Sequence, residues 1–248
     1  MALIAIASAA FAAGIDAFLA GTERDCTGCD LSGRDLHSRE FKLSTLNNAK
    51  LGGANLTDSS LFRGIFEHAD LTGATLVRAN LNLADGKWAD FSGADLTDAL
   101  LYEADLSQAN FTKANMSGAR LGRARLIGAN LQEAKLAGAD LREARLTGVT
   151  LTGADLRGVT LNGLNLQGMD LHGLDFTMAN MVGADLSGAN LRGAILAGAD
   201  LLQANLHGAD LAGANFEGAN LAGAIMSDVK RDGAKFDAAI MPDGHREK

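Results

Sequence analysis

The chain has 248 residues, of which 47% are hydrophobic, 5% aromatic and 21% charged, with 30 glycines and one proline. That length is ample for a buried core, and the single proline excludes a collagen-like or proline-rich filament. The 22 basic and 30 acidic residues give a net charge of −8, which disfavours general nucleic-acid binding.

Residues 1–25 form a segment of their own. Positions 2 to 20 are apolar except Ser8 and Asp16, and the first Lys or Arg is Arg24. Two readings compete. A small-residue apolar core with Ala10, Phe11 and Ala12 as an A-x-A cleavage site fits a secretory signal, against which stands the missing positive n-region. In the other reading, Phe11, Ile15, Phe18 and Leu19 fall on one face of a helix that covers the first turns of the repeat region. Both hold if cleavage leaves Ile15 to Gly21 as a short cap. An exported, periplasmic protein is the expectation and a cytoplasmic one the alternative. Beyond position 20 no run of about 18 apolar residues occurs, so no stable membrane insertion is expected after processing.

Cys26 and Cys29 are the only cysteines. A lone C-x-x-C lacks the further ligands of a metal site and the βαβ context of a redox motif. The pair reads as a staple for the cap, a disulfide if the chain is exported and two thiols if it is not.

From Leu31 to Met241 every fifth residue is Leu, Phe or Met, except Gly86 and Arg231, over 43 consecutive positions without insertion or deletion. Two residues before each large one the site is nearly always small, as at Ala69, Ala94, Ala139 and Ala209. The residue just before it favours Asp or Asn, as at Asp95 and Asn130, and Gly is common two residues after it, as at Gly93 and Gly138. This period fits neither ordinary element. On an α-helix five residues advance about 500°, so the leucines form no stripe. On a strand an odd step flips every second leucine to the opposite face. The chain must therefore turn once per repeat, with Gly, Asn and Asp suited to the bends. The expected result is a coiled solenoid.

Ala184, Asp185, Leu186, Ser187 and Gly188, followed by Ala189, Asn190 and Leu191, resemble the A-(D/N)-L-x-x consensus of the pentapeptide repeat family. The resemblance spans residues 29 to about 241. It implies an all-β solenoid, a right-handed quadrilateral parallel β-helix over residues 26–241 with 20 residues per coil, and so about 10–11 coils. At roughly 4.8 Å per coil the rod is about 50 Å long. In that arrangement Phe91 would stack on Phe111 and Phe216 on Phe236. The stretch from Cys26 to Gly33 also resembles the start of some exported members. Residues 242–248 are a short polar tail.

No catalytic constellation emerges. His37, His68, His172, His207 and His245 share no column at a 20-residue period, and the Asp residues sit at one repeat position where turn chemistry accounts for them. Motifs for a nucleophile elbow, a zinc helix or a phosphate loop are absent. No enzyme, cofactor or metal site is expected.

In a solenoid, function should sit where outward positions depart from the bland consensus. Phe62, Trp88 and Tyr102 are the aromatics at outward repeat positions. Leu43, Phe62, Leu83, Leu100 and Tyr102 map to one face, with Ile65 and Trp88 on the adjoining one. Gly86, in place of a large residue, would let the wall distort and Trp88 fold inward. The same face runs into a basic belt: residues 113–146 hold seven basic and three acidic side chains, against two basic and eight acidic in each of 64–112 and 147–229. Phe62, Leu83, Trp88, Leu100, Tyr102, Arg120, Arg123 and Arg142 are therefore the candidate partner surface, Tyr and Arg being typical hot-spot residues. Against this, Arg123 between Glu103 and Glu143 in one column could serve only as a salt-bridge ladder.

The expected function is a non-catalytic rod binding a protein partner through this strip, with no direct nucleic-acid contact. The family resemblance supplies the alternative, a DNA mimic that binds DNA gyrase and protects it from inhibitors. The basic belt and the unbroken register count against that alternative. Unpaired strand edges at the C-terminal coil would also permit a homo-oligomer.

Overall fold

The computed structural model describes residues 14–248; Phe11 and the Ala10–Ala12 site lie outside them. Helix α1, residues 14–19, opens the described chain. Its Ile15 and Phe18 are buried, and the Phe18 ring lies flat on Phe41 with centroids 5.1 Å apart. The helix stops at Gly21, whose φ of 74° is the left-handed conformation that closes many helices, while Thr22 N–H donates to the Ala17 carbonyl at 3.0 Å. Arg39 Nη1 donates to the Leu19 carbonyl at 3.2 Å and ties α1 to the first turns.

From Asp25 onward the backbone repeats one unit. With two exceptions, the residue before each large one forms a parallel β-bridge to its counterpart 20 positions later, beginning with Asp25–Thr45 and ending with Asn220–Ile240. Four such ladders run the length of the rod and define four faces. The face carrying Asn80, Leu100, Arg120 and Asp140 is the first, and that carrying Ile65, Asp85, Asp105 and Arg125 is the second.

The repeat at Leu186 shows why five residues suffice for a corner. Leu186 N–H donates to the Asn205 carbonyl of the next coil at 2.7 Å, and Ala189 N–H closes the turn onto the Leu186 carbonyl at 3.0 Å. Gly188, at φ 65°, takes the left-handed step between them. Asp185 Oδ1 accepts from Ser187 N–H at 3.0 Å, and Asn205 Nδ2 of the next coil reaches down to that same oxygen at 3.1 Å. The Asp and Asn preference thus serves turn closure and coil-to-coil bonding together.

Large and small residues alternate inside, and the core is one continuous column from Ile15 to Met241. Phe91 stacks on Phe111 at 4.8 Å and Phe216 on Phe236 at 5.1 Å. At Gly86 the core is filled from below: a Cβ there would lie 2.1 Å from Phe66 Cε2. The neighbouring phenylalanine supplies the volume that the glycine lacks. Trp88 consequently does not fold inward, as the sequence had suggested; it stands outside, 49% exposed.

Two links are missing from the ladders, Arg145 with Asn165 and Thr150 with Asp170. At the C-terminal end the chain reverses: Ile240 pairs antiparallel with Arg246, and Glu247 N–H donates to the Ala239 carbonyl at 2.9 Å.

Candidate functional site

Outward residues two and three places past the bridge column share the first face with it. Tyr102 sits there, its N–H held by Asn82 Oδ1 of the preceding coil at 2.8 Å. Directly above it the chain has Gly122, where a Cβ would meet Tyr102 Cδ2 at 3.3 Å. The glycine lets the ring lie against the wall. Together with Gly118 and Gly138 it leaves a groove of about 910 Å3, lined by Asn82, Leu100, Tyr102, Arg120, Arg123, Asp140, Arg142 and Glu143.

The charges in the groove are mostly paired. Arg123 bridges Glu143 at 2.9 Å and Glu103 at 3.4 Å while its guanidinium lies 5.8 Å from the centroid of the Tyr102 ring. Arg142 grips Asp140 at 2.6 Å. Hydrogen bonds from Arg142 hold the Asp140 carboxyl below the usual carboxylate range, and the carboxylates beside Arg123 and Arg142 raise both guanidinium groups above theirs. Arg120, exposed between these pairs, makes no ion pair among the described residues. The salt-bridge ladder foreseen at Arg123 therefore exists, and it pins the tyrosine. The groove as built offers an aromatic face, an aliphatic wall from Leu100 and one cation, Arg120, outside the ion pairs.

Of the eight residues read from the sequence, the groove gathers Leu100, Tyr102, Arg120, Arg123 and Arg142. Leu83 adjoins it, donating its N–H to the Tyr102 carbonyl at 2.9 Å. Phe62 is half-buried two coils below, with Arg63 5.5 Å from its ring centroid. Trp88 belongs to the second face's corner, stacked on His68 at 5.1 Å. The sequence reading missed the glycines that make the groove concave, although Gly122 one coil above Tyr102 was a readable signal.

Elsewhere the polar chemistry is local. Lys87 is held among Asp85, Glu67 at 3.3 Å and Asp105 at 3.8 Å. His37, His172 and His245 each contact the Asp two residues before them. Among the described residues no group of three or more His, Cys, Asp or Glu could hold a metal ion. Cys26 and Cys29 form a disulfide, both buried: Cys26 takes a large-residue position and Cys29 a small one.

The family profile described as pentapeptide repeats matches segments between residues 40 and 241 in eight copies. The chain is also 35% identical to HetL, a pentapeptide repeat protein involved in heterocyst differentiation regulation from the cyanobacterium Nostoc sp. strain PCC 7120. That match covers 86% of this chain and 94% of HetL with a TM-score of 0.50. The chain belongs to the pentapeptide repeat family. This pentapeptide repeat protein accordingly has the right-handed quadrilateral β-helix of its relatives. It is 22% identical to QnrB1, a plasmid-mediated fluoroquinolone resistance protein, over 85% of this chain and 88% of that one, with a TM-score of 0.31. A pentapeptide repeat protein of the Arabidopsis thaliana thylakoid lumen is 33% identical over 44% of this chain and 70% of its own, with a TM-score of 0.20. Comparison with curated proteins yields no match. Among the described residues no helix is long and apolar enough to cross a membrane.

Proposed function

We propose that this protein is a non-catalytic scaffold whose first-face groove binds a partner protein. The observation that carries the reading is the Tyr102 ring laid against Gly122, with the exposed Arg120 outside the ion pairs of the groove. A rigid β-ladder holds both at fixed spacing, so little ordering cost is added on binding. The fit is to a segment that brings an apolar side chain onto Tyr102 and Leu100 and a carboxylate to Arg120. α1 caps the first coil, and the disulfide closes the first turn of that coil. We place the protein outside the cytoplasm, where such a disulfide persists.

The test is capture of a stoichiometric partner by the purified chain and by Tyr102→Ala and Arg120→Ala variants. Hot-spot truncations cost about 2 kcal/mol or more, so affinity should fall by roughly 30-fold while circular dichroism stays unchanged. Equal capture by all three proteins removes the groove from the reading. If the partner proves to be gyrase, with supercoiling inhibited, the DNA-mimic alternative replaces it. Location is checked by the intact mass of the chain from its host. Loss of the apolar leader with a gain of two hydrogens on reduction is expected, and a full-length reduced chain contradicts export.

A further inference from the structure

The backbone is open between two coils, with its ladder links lost on two adjacent faces. In regular coils the bonding is complete: Leu126 N–H donates to the Arg145 carbonyl and Gly128 N–H to the Thr147 carbonyl, both at 2.9 Å, and Asn130 N–H donates back to Ala109 at 3.0 Å. One coil on, the N–H groups of Glu143, Leu146, Gly148, Leu151 and Gly153 on one lip meet no carbonyl, and neither do those of Asn165, Asp170 and Asp175 on the other. The missing ladder links fall at the same place. On the far side the coils stay joined, with Leu141 N–H on the Thr160 carbonyl at 2.9 Å.

The cause lies in the corners. Val159, Leu164, Met169 and Leu174 fill all four small positions of one coil, where alanine is the rule elsewhere, and Val149 stands beneath Met169 in the same column. Corners sized for a methyl group cannot close over these side chains. The coils part around a cleft of about 730 Å3. Its floor is Leu146, Leu151, Val149 and Met169, and its rim carries Thr147 and Gln167.

We propose that this cleft binds an extended peptide segment of a partner protein, seated as an additional strand between the two lips. Both lips present unpaired main-chain groups at strand spacing, N–H groups below and the Asn165, Gln167 and Asp170 carbonyls above. On each face a polypeptide in β conformation offers donors and acceptors along both its edges at that repeat, so it can pair with the two lips together. To follow both faces it bends at the corner between Gly148 and Leu151, as the repeats of the rod do. Gly148, Gly153, Asn165, Gln167 and Asp170 are exposed, so their main-chain groups are accessible to an incoming strand. The apolar floor takes an inward side chain while the Thr and Gln rim suits small or polar neighbours. The volume falls within the range of about 300–1,000 Å3 typical of ligand sites. This site is separate from the Tyr102 groove, and neither stands or falls with the other.

The experiment is residue-resolved hydrogen exchange on the full chain, with and without a synthetic peptide of the sequence of residues 184 to 191. That peptide carries a leucine among small and polar residues. The amides of Leu146, Gly148, Leu151, Gly153, Asn165 and Asp170 are expected to exchange at least about tenfold faster than Leu126, Gly128 and Asn130, and to slow by about tenfold or more on adding peptide. A backbone N-methylated peptide, with the same side chains and no donors, should fail to protect them. A variant with Val149, Val159, Leu164, Met169 and Leu174 all replaced by Ala should protect these amides unaided and not bind. Equal protection in the free protein, fast amides untouched by peptide, or equal protection by the N-methylated peptide would each overturn the proposal. The peptide arms need only the wild-type chain, so the outcome stands if the variant fails to fold.

Discussion

At Gly86 the repeat lacks its large side chain, and the Phe66 ring one coil below occupies the space. The two positions are therefore one packing unit. Gly86→Leu alone drives a side chain into that ring, and overpacking of this kind costs about 1–3 kcal/mol. Phe66→Leu alone withdraws the ring and leaves a void, also costing on the order of 1 kcal/mol or more. Combined, they restore two consensus leucines, so the double variant should recover most of the loss in urea denaturation, a coupling of opposite sign to the single effects. Simple additivity would show that the ring and the glycine do not share the site. The sequence marked Gly86 as an exception but pointed to the wrong occupant, because Trp88 is nearer along the chain whereas Phe66 is nearer in space. A 20-residue offset hides such a partner from local reading.

For the repeat as an element, nearly everything was legible. The large-residue period dictated a turn every five residues, and the Asp or Asn before it supplies the turn bond, as Asp185 does for Ser187. The candidate site was legible in part. Column arithmetic placed Leu100, Tyr102, Arg120, Arg123 and Arg142 together, since it depends only on register. Concavity was not read, because it arises from the glycine side chains that are missing beside Tyr102. Nor were the Val, Leu and Met residues at the small positions of one coil read as a disturbance, although they stand in the sequence. Each is hydrophobic and keeps the period, so composition and pattern both pass over them. Only volume betrays them: the interior corner accepts a methyl group, and a leucine there holds neighbouring coils apart.

Over the whole molecule, a solenoid is a chain of nearest-neighbour couplings, and its cooperativity is set by the weakest interface. Here that interface lies between the coil carrying Leu146 and Leu151 and the coil carrying Leu164 and Met169. Each lost main-chain bond forfeits about 0.5–1.5 kcal/mol of coupling, so several together can uncouple two halves that are each stable. Trp88, the only tryptophan, lies in the N-terminal half and reports on that half alone, whereas far-ultraviolet circular dichroism sums over the rod. Guanidinium unfolding followed by the two signals should give midpoints that do not coincide, a departure from two-state behaviour. Replacing Val149, Val159, Leu164, Met169 and Leu174 by Ala closes the interface and should bring the two curves together. That result would be unusual, since removing apolar volume from a core ordinarily weakens it. Coincident curves in the wild-type chain would mean that the bonds remaining on the Leu141 and Thr160 side carry the coupling by themselves.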